Sequence, residues 1–444
     1  MRAQAIVLAA ALLMAPLAAK AADLVVWWEK GYYPQEDEAV REIVAAFEQA
    51  TGTQVELVFQ EQSQLPQKIL AALEAGRPPD FAFGLWLVEN VGEWAFNDRL
   101  ADLSDAIGHF SDLFDSDALD REMLLNAKTG QRALYALPIA SSVNYIHVWR
   151  SLLERAGFTL ADIPRDWEAF WSFWCDEVQP AVRRATGRHD VWAVGLPMSA
   201  GAADTYIQFF QFLAPQNADY VTPDGQLVLD DPQVRHRLIQ AVDSYTALYR
   251  KGCVPPDSVK WFDEGNNKSF LTQAVIMTPN VSLSIPNALK SERPGDYNEN
   301  VATIEWPLGS LGEPFPIYGE ISPAMVFKGA APPARELVRF LVAEGWLAHY
   351  FNFSGERFLP TMSKLLEQPF WLDPSDPHRM AAAMQLASRS LSHNYAVASG
   401  NWRHQLVDQE RVWPKAIHRI VTEGISPEQA VDEAIARIKQ ILSE

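Results

Sequence analysis

Three short segments hold side chains able to grip a small molecule without reacting with it. They are Trp27-Trp28-Glu29-Lys30 with Tyr32 just beyond, Gln60-Glu61-Gln62, and Gly84-Leu85-Trp86. Between them they supply flat rings, amides, carboxylates and an ammonium. Rings cover the weakly apolar C–H face of a cyclic polyol, while carboxylates, amides and Lys or Arg bond its hydroxyl rim. Such bonds also select, because a buried polar group left unpaired costs about 1–3 kcal/mol. No comparable set points to covalent chemistry. The sequence contains no HExxH, GxSxG, Walker A loop or GxGxxG, and its 9 histidines are scattered. The acidic run from Asp102 through Asp105, Asp112, Asp115 and Asp117 to Asp120 lacks the glycine turn and closing glutamate of a calcium loop, so it reads as a solvated face. Cys175 and Cys253 are the 2 cysteines, too few for a disulfide framework or a zinc ligand set. Neither a metal nor a cofactor is expected.

The elements that must position these segments follow from periodicity. Asp23 to Lys30 reads as a buried strand running into a loop. Val40, Ile43, Val44 and Phe47 are spaced for a helix over 35–50, which Thr51-Gly52 should end. Gln54 to Phe59 is a second strand, Leu65 to Glu74 a second helix, and Asp80 to Phe83 begins a third strand. Alternating strands and helices predict right-handed βαβ units and a parallel sheet, which binds ligands beyond the carboxyl ends of its strands. The three segments above sit at those ends, and Trp86 is the first stacking candidate. Further on, 136–148 reads as extended, and 149–156 and 231–249 read as helices. Strands are expected over 275–279 and 302–306, and helices predominate from Ala334 to a last one over 426–442. Trp167, Phe170, Trp171 and Trp174 share one helical face, where core packing is expected ahead of ligand stacking.

The 444 residues exceed one ordinary domain, and no Gly/Ser-rich linker divides them, so the chain should cross between two domains more than once. A net charge of −19 argues against binding nucleic acid or an anionic membrane. Residues 1–21 combine Arg2, an apolar run from Ala5 to Ala19 broken by Pro16, and small residues at Ala19 and Ala21. They predict a cleavable secretory signal peptide rather than a membrane anchor, which needs roughly 20 apolar residues.

DLVVWWEKGYYPQEDEAVREIVAAFEQATGTQVELVF resembles the opening of the extracellular solute-binding proteins of ABC importers, in their sugar-binding, maltose-type branch. LPQKILAALEAGRPPDFAF, RLADLSD, GQRALYALPIASSVNYIHVWRSLLERAGF, IPRDWEAF, FLTQAVIMTPN and ISPEQAVDEAIARIKQIL resemble later landmarks in the family's order, so the likeness spans nearly the whole chain. Departures include Arg150 near a usual lysine and Thr272-Gln273 in place of Gly-Lys. The resemblance implies an α/β, two-lobe periplasmic binding protein fold of type II with a hinge of crossing strands. One lobe would comprise 22–139 and 308–355, the other 140–307 and 356–444. Crossings would fall near 140–142, 303–307 and 357–360. It also implies site residues. The loop Trp28, Glu29, Lys30 and Tyr32 would bond or cover sugar, joined by Gln62 and Trp86. Ser142 and Asn144 would lie at the first crossing, with Tyr206 stacking from the second lobe and Asn280 following a strand there. Tyr318, Gly319 and Glu320 would precede a return strand, and Trp402 competes with Trp413 for a C-terminal stacking role.

The expectation is a periplasmic, monomeric protein that performs no chemistry. It would take a carbohydrate between its lobes and pass it to an ABC importer's membrane permease. Two alternatives stay open. Glu29, Glu61 and Glu320 could instead serve a cationic amine such as a polyamine, and rings with carboxylates also suit a secreted glycoside hydrolase. Cys175 and Cys253 both fall in the second lobe, where an oxidising compartment would let them pair if close; two buried thiols are the alternative.

Overall fold

The computed structural model describes residues 22–443 apart from 310–311, 344, 354–356 and 393, so the expected signal peptide lies outside the described residues. In chain order the strands are β1 (Leu24–Glu29), β2 (Val55–Gln60), β3 (Phe81–Phe83), β4 (Met123–Asn126), β5 (Gln131–Leu134), β6 (Leu137–Val143), β7 (Tyr145–Trp149), β8 (Trp192–Val194), β9 (Val275–Asn280), β10 (Val301–Ile304), β11 (Gly319–Val326) and β12 (Leu359–Pro360).

β1, β2 and β3 run parallel, with Val26 opposite both Leu57 and Phe81. The helices Pro34–Thr51 and Leu65–Glu74 connect them. The first helix begins at Pro34, whose missing N–H would be unbonded there anyway. It stops at Gly52, whose φ of 74° is the left-handed conformation a residue without Cβ adopts freely. Val40, Ile43 and Phe47 from its buried stripe join the core beneath the sheet, and Val44 is buried beside them. Asp80 fixes the start of β3, where its two carboxylate oxygens accept from the backbone N–H groups of Val25 and Ala331, each at 2.8 Å.

Two sheets result. One has six strands in the order β12-β6-β11-β3-β1-β2, and the other has four, β10-β7-β9-β8. β11 is antiparallel to both β3 and β6 and so closes the first sheet around the parallel core. The chain changes sheet between β6 and β7, where Asn144 is the single intervening residue. The switch falls just past the expected 140–142 because β6 pairs with β11 as far as Val143, opposite Gly319. The chain returns between β10 and β11. It leaves the first sheet after Pro360, which pairs with Ala140. The C-terminal helices then pack on the second lobe, where the Trp413 and Phe209 rings lie 5.3 Å apart.

Asn144 joins these crossings. Its N–H donates to the Tyr318 carbonyl at 3.1 Å. Its own carbonyl accepts from Trp306 Nε1 at 2.8 Å and Gln385 Nε2 at 2.9 Å.

The aromatic helix of the second lobe is interrupted, being α-helical over Trp167–Ser172 and π-helical over Phe173–Val178. Trp167, Phe170, Trp171 and Trp174 are all buried there. Cys175, in the π-helical turn, is disulfide-bonded to Cys253, which resolves the two open alternatives. No described helix is long and apolar enough to cross a membrane.

Candidate functional site

The loops after β1, β2 and β3 face the second lobe across a cavity of about 320 Å³. From the first lobe Tyr32, Gln62, Leu85 and Trp86 line it, joined by Ser142 on β6, Tyr318, Glu320 on β11, and Arg357 and Phe358. Across from them stand Asp204 and Ile207 on the helix Ala203–Leu213, the loop residues Phe262, Asp263 and Glu264, Asn267, Asn280 at the end of β9, and Val281, Ser282 and Ser284. Phe262 and Tyr32 are largely exposed, at 71% and 63%. Both rings line the cavity while keeping most of their surface in water, and Tyr32 also packs edge-on against Tyr33.

Local geometry explains which neighbours reach the cavity. Glu29 ends β1, but its carboxylate turns inward and accepts from the Leu85 N–H at 2.8 Å. It holds the 3₁₀ turn Leu85–Glu89, which carries Trp86. Gly84 makes room for this, since a Cβ there would come within 2.5 Å of Leu65 and 3.1 Å of the Glu29 carboxylate. Burial pushes the Glu29 carboxyl up to about 7, against the pull of nearby Arg357. Arg357 is spent locally too. It donates to Glu36 at 2.9 Å with both side chains buried, and its guanidinium lies 4.4 Å from the Phe358 ring and 5.5 Å from that of Tyr32. Its carbonyl accepts from Leu283 N–H at 2.9 Å, and the Tyr33 hydroxyl donates to the Ser284 carbonyl at 3.2 Å, so both bonds tie the lobes together. Asn280 donates to the Ser282 carbonyl at 2.9 Å and to Ser284 Oγ at 3.1 Å, and it accepts from Asn266 at 3.2 Å.

Of the residues expected from sequence, Tyr32, Gln62, Trp86, Ser142, Asn280, Tyr318 and Glu320 meet in this cavity. Others lie elsewhere. Trp28 packs in the first lobe's core, 4.7 Å from Phe83, because strand alternation turns it inward. Lys30 points to solvent and pairs with Glu61 at 3.0 Å. Asn144 is fully buried in the crossover, where its amide donates to Gln208 at 2.8 Å. Tyr206 and Gly319 line a smaller adjoining cavity of about 60 Å³, whose shared wall with the first is Tyr318 and Glu320. Trp402 sits in a shallow crevice beside Phe96, and Trp413 is buried against Phe209.

Sequence reasoning missed Asp204, Phe262, Asp263, Arg357 and Phe358 as lining residues. The run Trp261-Phe262-Asp263-Glu264 carried a readable signal, rings beside carboxylates just before a helix. Asp204 shares one helical face with Gln208 and Gln211, but every residue of its helix is buried, so that polar stripe did not tell the cavity wall from a satisfied core contact.

The wall is acidic. Burial pushes Glu320 up to about 7, and its carboxylate accepts from the Tyr318 hydroxyl. Burial, and then the neighbouring Asp263, hold the Asp204 carboxyl well above the ordinary carboxylate range. Among the described residues no group of three or more His, Cys, Asp or Glu could hold a metal ion.

A family model described as "Bacterial extracellular solute-binding protein" matches residues 42–381, well over half of the chain. No curated protein sequence matches. Solved structures match along nearly the whole length. Maltose-bound MalE3 of T. maritima has a TM-score of 0.72 at 17% identity, covering 94% of this chain and 100% of its own. A solute-binding protein of Thermotoga lettingae bound with α-D-tagatose has a TM-score of 0.71 at 15% identity, covering 94% and 99%. A sugar transporter protein of Arthrobacter chlorophenolicus with bound laminaribiose has a TM-score of 0.70 at 15% identity, covering 95% and 100%. At these identities the likeness establishes the two-lobe fold.

Proposed function

The chain belongs to the bacterial extracellular solute-binding protein family, and from that premise we propose that it captures a carbohydrate in the inter-lobe cavity and delivers it to the membrane permease of an ABC importer. One observation carries this reading. Rings and hydrogen-bonding groups from both lobes face a single volume of about 320 Å³, within the range of small-molecule sites. Trp86 and Tyr32 offer faces for sugar C–H groups, and Gln62, Ser142 and Asn280 offer partners for hydroxyls. Similar structures that hold maltose, tagatose and laminaribiose support a saccharide as the class.

In this reading the protein works as a periplasmic monomer exported by its leader. The lobes, 22–143 with roughly 305–360 and the remainder, swing about the crossings and close over the solute, as periplasmic binding proteins do. Closure would bury the ligand and bring together surface of both lobes for the permease. No bond is made or broken. Scanning fluorimetry and calorimetry with a panel of mono- and disaccharides test it, with saturable binding and a raised melting temperature as the expected result. Turnover of a chromogenic glycoside would overturn the non-catalytic part, and absence of binding by every saccharide would overturn the substrate class.

A further inference from the structure

Building on the reading that this cavity is the ligand site, we propose that the solute carries a protonated amine, as an amino sugar does, and that Asp204 and Asp263 receive it on the second-lobe wall. Asp204 is only 4% exposed and lines the cavity. Its carboxylate has no hydrogen-bond or ion-pair partner among the described residues; its backbone N–H alone is engaged, donating to Asp263 at 3.2 Å. That contact brings a second carboxylate, also without an ion pair among the described residues, to the same spot. The usual neutralisers are absent from this wall. Arg357, the one cationic side chain among the lining residues, is held by Glu36, and Lys268 is held by Glu264. Arg121 donates to the Gly319 and Ser392 carbonyls, and its charge offsets Glu320 rather than the aspartates.

A buried carboxylate without a partner is strongly unfavourable and must take up a proton or meet a cation. Burial and the neighbouring Asp263 both raise the proton affinity of Asp204, so the carboxylate form is the one a bound cation would favour. A neutral hydroxyl would offer only one uncharged bond. An ammonium offers three donors and the charge, in charge-assisted bonds of about twice the strength. The exposed rings of Phe262 and Tyr32 at the mouth present π faces that also favour a cation. The amides and hydroxyls on the same wall still call for a polyhydroxyl body, so the two demands together describe a cationic saccharide.

The test compares each sugar with its amine on the full mature chain, by calorimetry at low salt. Glucosamine, galactosamine, mannosamine and the glucosamine β-1,4-disaccharide are measured against their hydroxyl parents and N-acetyl derivatives, with spermidine alongside. At least one amine should bind ten-fold or more tightly than its parent. N-acetylation, high salt, Asp204→Asn or Asp263→Asn should bring that ratio to about one. Neutral sugars binding as well as or better than every amine would overturn the cation site and leave the carbohydrate reading standing. Spermidine binding that is lost in Asp204→Asn, with no saccharide binding, would keep the cation site and overturn the carbohydrate reading. Binding by none of them would overturn both.

Discussion

Trp86 owes its position to two residues outside the cavity lining. Glu29 holds the N–H of Leu85, and Gly84 leaves the space for it. Removing the ring in Trp86→Ala should weaken saccharide binding about ten-fold, the roughly 1.4 kcal/mol expected of one stacked aromatic, with little change in melting temperature; titration calorimetry reads the first and scanning calorimetry the second. Another buried acid, Glu122, is absent from the cavity lining. Glu122 is 2% exposed, one carboxylate oxygen has no hydrogen-bond partner, and burial pushes the group up from 4.5 to about 8. The folded state therefore binds a proton that the unfolded state releases. That contribution is complete below about pH 4.5 and is lost as pH rises through 8, at about 1.4 kcal/mol per pH unit. Glu122→Gln should flatten that part of the curve, so variant and parent stabilities plotted against pH should diverge between 5 and 8. A plot with parallel curves would show Glu122 ionised in the folded protein. At this scale the sequence exposed Tyr32, Gln62 and Trp86, because loops beyond parallel strands are readable from strand order alone. It concealed the inward turn of Trp28 and Glu29, which depends on which face of β1 meets Tyr350 and Leu85.

Asp80 acts between elements. It links the chain before β3 to β1 and to the segment after β11, two parts of the sequence that meet only in the folded lobe. Asp80→Ala strands two backbone donors, and each lost charge-assisted bond should cost about 1.5–3 kcal/mol, read as a lower denaturant midpoint. The disulfide ties the π-helical turn to the chain after the helix Pro232–Arg250, across 78 residues. Replacing both cysteines by serine should lower stability by about 2–5 kcal/mol. Neither cysteine lines the cavity, so ligand affinity should survive wherever the variant is folded. The strands and helices of the first lobe were legible because alternation, Pro34 and Gly52 mark them plainly. The hairpin β4–β5, the short β8 and the π-helical turn were not. Short strands carry little periodicity, and a turn widened by one residue keeps the same apolar composition.

The whole molecule is built on two main sheets tied by crossings and by bonds that span the cleft. Tyr33 to Ser284 and Leu283 to Arg357 lie on one side, and Gln405 to the Val88 carbonyl at 2.7 Å on another. If the lobes move as proposed, small-angle scattering should show a smaller radius of gyration with a binding saccharide than without it. Superimposable curves at saturating ligand would exclude closure. Membership of the solute-binding family was legible from landmarks spread along the chain, whereas the acidic second-lobe wall was not, because Asp204 meets Asp263 only after folding. The junction at Asn144 has one more consequence. With a single peptide unit between β6 and β7, the inside–outside rhythm of one half is locked in phase to that of the other. One inserted amino acid there would turn either the Leu137–Val143 or the Tyr145–Trp149 ribbon inside out, so this short span tolerates substitution far better than any change in length.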